Sequence, residues 1–75
     1  MPAIRPAHYQ ELVRVLEQDG FIYDRTEGEH RIYTKPGVGR PLVIPMYRAV
    51  PVFLIKNLLR SADMSRERYF LPKGA

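Results

Sequence analysis

Seventy-five residues without a cysteine bound one small domain with a thin core, stapled neither by disulfides nor by thiolate metal sites. Two histidines, His8 and His30, are too few for a convincing zinc site, and neither a signal-like apolar run at Met1 to Pro6 nor a stretch near the roughly 20 apolar residues of a membrane span is present, so the sequence predicts a soluble cytoplasmic protein. The net charge of +4 is unevenly spread: residues 1–29 hold six acids against three arginines, a net of −3, whereas residues 30–60 hold six bases (Arg31, Lys35, Arg40, Arg48, Lys56 and Arg60) and no acid.

In chain order, Pro6 suits the first turn of a helix, where its missing N–H costs nothing. Tyr9, Leu12, Val13 and Leu16 then form one apolar stripe, with Glu11, Arg14, Glu17 and Gln18 on the wet side. Asp19-Gly20 ends this helix, Gly20 suiting a left-handed position just past its end. Phe21 to Arg25 is aromatic and β-branched and reads as a strand; Thr26-Glu27-Gly28-Glu29 is a turn; His30 to Thr34 is the second strand of a hairpin. Pro36 to Gly39 is a loop, and Pro41 to Pro45 is a third strand bracketed by prolines. Pro51 opens a second helix to about Ala62 with a stripe of Ile55, Leu58, Leu59 and Ala62, and Asp63 follows where glycine is commoner. Ser65 caps a last short turn through Tyr69, with Glu67 near its positive end, and residues 71–75 form a loose tail. The expectation is a single domain over 1–75, with its core at about 6–70. Its class is α+β, a three-stranded antiparallel sheet with both helices on one face and the other face open.

His30 is the residue best suited to proton transfer near neutral pH, at the start of a strand just past a glycine turn; an ordinary surface histidine is the plain alternative. The basic block from residue 30 to 60 suits a polyanion, with Arg31, Lys35, Arg40 and Arg48 as phosphate-binding candidates, against the alternative of a solvated basic surface. Tyr23 and Tyr33 can stack on bases, although core packing is the commoner fate of strand aromatics. The run Val50 to Leu54 is more apolar than a two-faced helix needs. Val52, Phe53 and Leu54 therefore form either a partner surface or a wider buried face.

The succession Asp19-Gly20-Phe21, Gly28-Glu29-His30, Lys35-Pro36-Gly37, Arg40 to Pro45 and Ile55 to Arg60 resembles the HicA family of toxin–antitoxin mRNA interferases, over about residues 8–70. The family shows a helix ending near Gly-Phe or Gly-Trp, a Gly-Ser-His turn, a Pro-Gly loop, a strand ending in Val-Pro and a closing helix. The resemblance implies a double-stranded-RNA-binding-domain-like fold, cleavage of mRNA without a metal or other cofactor, an essential histidine that here is His30, and a HicB-type antitoxin that occludes the site. The sequence departs from the pattern at Glu29, where serine is usual, at Tyr47, where many members have a second histidine, and at Asp63, where glycine is usual. Both Glu29 and Tyr47 are auxiliary candidates. In the mechanism the residue types suggest, His30 takes the proton of a ribose 2′-OH, the 2′-oxygen attacks the adjacent phosphate, and a 2′,3′-cyclic phosphate results. Arg31, Lys35 and Arg40 either stabilise the developing charge or simply position phosphate. A non-catalytic RNA-binding module of the same fold and a protein-interaction domain are the competing expectations.

Overall fold

The computed structural model describes residues 3–71, so most of the expected loose tail, residues 72–75, lies outside the described residues. The elements run α1 (Tyr9–Gln18), β1 (Ile22–Glu27), β2 (His30–Thr34), β3 (Leu42–Pro45), α2 (Val52–Ser61) and a one-turn α3 (Arg66–Tyr69). The three strands form one antiparallel sheet in the order β1-β2-β3.

The first helix starts later than Pro6 predicts. Residues ahead of it run extended instead: Ala7 and Val50 bridge through both backbone hydrogen bonds, and Ile4 is buried beside the core. His8 becomes the N-cap, its Nδ1 accepting the Gln10 N–H at 3.1 Å. At the other end the Gly20 N–H reaches the Glu17 carbonyl and the Phe21 N–H reaches that of Leu16. That pairing requires a left-handed residue between, which Gly20 supplies at φ +97°. Phe21 then buries against the core rather than opening β1, which begins one residue later. The second helix likewise begins after Pro51, which is its N-cap.

Cross-strand partners share a sheet face. Tyr33 pairs with Leu42, and Ile44 lies two residues further along β3. All three are buried with Leu12, Val13, Val15 and Leu16 of α1 and with Ile55 and Leu59 of α2, so both longer helices cover this one face. The opposite face presents Ile32 and its partner Val43, the latter half exposed. Ile32 is buried without joining the main core, because as a central-strand residue it is flanked by Arg25 on one side and Val43 on the other.

Candidate functional site

The β1–β2 hairpin is tighter than a four-residue turn. Thr26 and Glu27 continue β1, and only Gly28 and Glu29 link the strands. Gly28 has φ +59°, as the first central position of a two-residue hairpin turn demands. The turn sets the register at Glu27↔His30, the last pair of the ladder. On its other side His30 pairs with Pro45.

His30 is exposed and, by alternation from Ile32, lies on the sheet face that the helices leave open. Arg25 and Glu27 of β1 share that face: Arg25 pairs with Ile32 and Glu27 with His30. A bulge at Asp24 separates them from Tyr23, which pairs with Tyr33 on the helix side. The Arg25 guanidinium binds Glu27 through Nε and Asp24 through Nη1. Those hydrogen bonds, with Glu27 the stronger cause, raise the Arg25 pKa above the ordinary arginine value.

The phosphate-binding candidates divide among three places. Arg31 lies on the helix side of the sheet, opposite His30 in the alternation. Its guanidinium stands 5.3 Å from the centroid of the Tyr9 ring, a cation–π contact. Lys35 lies beyond the far end of β2, five residues and roughly 16 Å from His30 at the rise of an extended chain. Its ammonium contacts Asp19 at 3.4 Å. Arg40 is exposed at that same far end, where a groove of about 280 Å³ runs between β3 and α2, lined by Arg40, Val43, Leu54, Asn57 and Ser61 among others. Arg48 is exposed in the connection between β3 and α2, which leaves the sheet at Pro45, the partner of His30.

That connection is held to the histidine end of the sheet by its backbone. The Met46 N–H donates to the Glu29 carbonyl at 2.8 Å, and the Tyr9 N–H donates to the Tyr47 carbonyl at 3.0 Å. Glu29 and the connection that carries Tyr47 and Arg48, all three exposed, thus lie at the histidine end of the sheet, whereas Lys35 and Arg40 lie at its far end and Arg31 on the opposite face from His30.

A comparison with protein families matches the HicA toxin of bacterial toxin–antitoxin systems over residues 9–64. The chain belongs to the HicA toxin family. No curated protein matches it. In this HicA chain the matched span begins at the first residue of α1 and ends just after Asp63, so it includes the three strands, both longer helices and the Gly28-Glu29-His30 turn. Membership makes the protein a toxin of a toxin–antitoxin system, with an antitoxin as the kind of partner it implies. Among the described residues no helix is long and apolar enough to cross a membrane.

Of the apolar run at the start of α2, the HicA chain packs Val52 and Leu54 partly against the core and leaves Phe53 exposed at 64%. The wider buried face accounts for the first two, and Phe53 is the part that stays exposed. Tyr33 is fully buried; Tyr23 is half exposed, edge-on to Tyr33 at 5.8 Å with its hydroxyl hydrogen-bonded to Thr26. Sequence reading passed over Arg25 and Glu27, one as the end of a strand and the other as turn. A two-residue loop with glycine first was the signal that would have placed Glu27 opposite His30.

Proposed function

We propose that this HicA protein is an endoribonuclease that cleaves mRNA by transesterification, with His30 as an essential proton-transfer group, no cofactor, and a HicB-like antitoxin as its neutralising partner. The observation that carries the reading is an exposed imidazole at the Gly-X-His position of the family, on a sheet face free of helices. A substrate strand laid on that face reaches His30 without any rearrangement of the core. Arg48 supplies a cation at the same end, and the acid-free block of residues 30–60 draws a polyanion toward this half of the molecule. Phe53, exposed on α2, offers the antitoxin an apolar anchor.

Purified protein, freed of antitoxin, is expected to cleave an mRNA transcript in the presence of EDTA and to leave 2′,3′-cyclic phosphate ends. His30→Ala should abolish cleavage and keep the circular dichroism spectrum of the wild type, since the side chain is exposed. A His30→Ala protein that cleaves at the wild-type rate removes the assignment. Glu29, a carboxylate where the family has serine, favours a second reading, an RNA-binding module without catalysis. Strong, salt-dependent RNA binding with intact RNA after prolonged incubation would decide for it.

A further inference from the structure

Transesterification of RNA needs two proton transfers, one from the 2′-OH and one to the departing 5′-oxygen, and one histidine handles one of them at a time. Tyr47 and Glu29 lie near His30, but neither is its cross-strand neighbour. Glu27 is. Directly opposed residues on an antiparallel pair hold their Cβ atoms about 5 Å apart, and both side chains leave the same face. Arg25 stands diagonally beside them, about 7–8 Å from His30 by the geometry of neighbouring pairs, with its guanidinium bound to Glu27.

We infer that Glu27 is a second catalytic residue and that Arg25 is a phosphate ligand, so that Arg25, Glu27 and His30 form one acid–base site on the open face of the hairpin. The inference rests on the ribonuclease reading above and assigns its missing partner. In this scheme Glu27 acts as a carboxylate, the form that accepts a proton, with the Arg25 guanidinium hydrogen-bonded to it. Glu27 takes the proton of the ribose 2′-OH as the 2′-oxygen forms its bond to phosphorus. The bond from phosphorus to the 5′-oxygen breaks, and His30, as imidazolium, gives its proton to that oxygen. The products are a 2′,3′-cyclic phosphate and a 5′-OH, and solvent returns the proton from Glu27 to His30. The expectation of His30 as the base is thereby exchanged for His30 as the acid. Nη1 and Nε of Arg25 are engaged by Asp24 and Glu27, which leaves Nη2 to meet a phosphate oxygen where charge develops. The bulge at Asp24 brings Arg25 and Glu27 to the same face as His30, because without it the alternation set by Tyr23↔Tyr33 would leave the register one residue out.

The test uses the full chain and two versions of one RNA oligonucleotide, built around a cleavage site mapped with the wild-type protein. One version is natural; in the other sulfur replaces the bridging 5′-oxygen at that site, so the leaving group needs no proton. On natural RNA, Glu27→Gln and His30→Ala should each cut the rate about 10²-fold or more. Glu27→Gln should also lose the acid limb of the pH–rate profile, without weaker RNA binding, because it removes a negative charge. On the sulfur-bridged RNA, His30→Ala should recover and Glu27→Gln should not. Glu27→Asp, which keeps the carboxylate, should retain more activity than Glu27→Gln. Cleavage by Glu27→Gln at the wild-type rate, or recovery of that variant rather than His30→Ala on the sulfur-bridged RNA, overturns the assignment while leaving the ribonuclease reading intact. Absence of cleavage by the wild type overturns both.

Discussion

The Lys35 ammonium and the Asp19 carboxylate meet at 3.4 Å, at the corner where α1 ends and β2 runs out. The other Asp19 oxygen accepts from Arg68 Nε at 3.2 Å, and Arg68 Nη2 reaches the Gln18 carbonyl at 3.1 Å. One carboxylate thus ties together α1, the end of β2 and the short α3. Lys35 also covers the Phe21 ring, 5.4 Å from its centroid. Its charge is paired with Asp19 at a partly exposed corner. Lys35→Met should therefore leave the salt dependence of RNA binding unchanged, whereas Arg48→Met should reduce the slope of log K against log salt by about 0.7 for a single-stranded ligand. Asp19→Asn should lower stability by about 1 kcal/mol in urea denaturation, as expected for partly exposed ion pairs. An equal loss of slope in Lys35→Met and Arg48→Met would show that Lys35 also meets RNA.

Asp63 supports a second prediction of opposite sign. It sits at φ +53°, just past α2, and the backbone around it closes the helix as Gly20 closes α1: the Asp63 N–H reaches the Arg60 carbonyl and the Met64 N–H that of Leu59. Every residue with a Cβ pays a conformational cost there, and glycine does not. Asp63→Gly should stabilise the protein by about 1 kcal/mol, read as a higher urea midpoint with an unchanged m-value. A lower midpoint would mean that the Asp63 carboxylate supports the helix end by more than its backbone costs.

Much of this architecture was legible because its signals are local. Apolar spacing marked both longer helices, Gly20 and Asp63 marked their ends, and His30 to Thr34 matched β2 residue for residue. The misplaced starts share one cause: Pro6 and Pro51 both permit a first helical turn, but Ala7 and Val50 pair with each other, and that long-range bridge holds both segments extended. Of the proposed site, only His30 was legible. Which cations stand beside it depends on alternation and register, which a one-residue bulge or a turn of two rather than four residues reverses. Arg31 is the next residue in the chain and lies on the other face; Glu27 is three residues back and lies directly opposite.

Gly28 is where that register is set, and it gives a prediction that separates backbone from contact. A Cβ there would meet no atom within 4 Å, so space is not the constraint; φ +59° is. Gly28→Ala should cost about 1–2 kcal/mol of stability, the left-handed penalty for an L-residue, and Gly28→Asn should cost less. If the hairpin register matters for catalysis, Gly28→Ala should also lose activity beyond what its unfolded fraction explains, measured at a temperature where both proteins are fully folded. Full activity under those conditions would show that the site tolerates a displaced turn.

The pH dependence of stability has one identifiable contributor on the alkaline side. Tyr69 of α3 packs partly against the core, and burial, with the Glu11 carboxylate as a secondary cause, raises its phenol pKa above the ordinary value near 10. A raised folded-state pKa means that the unfolded chain releases its proton first. The stability Tyr69 contributes is therefore complete below about pH 10 and is lost as the pH rises from there through the folded-state value. Tyr69→Phe removes the ionisation and keeps the ring. Its unfolding free energy should fall less steeply than that of the wild type between about pH 9 and 11, with the two curves parallel at neutral pH. Curves that stay parallel through the alkaline range would place the phenol in water and assign the alkaline loss to other groups.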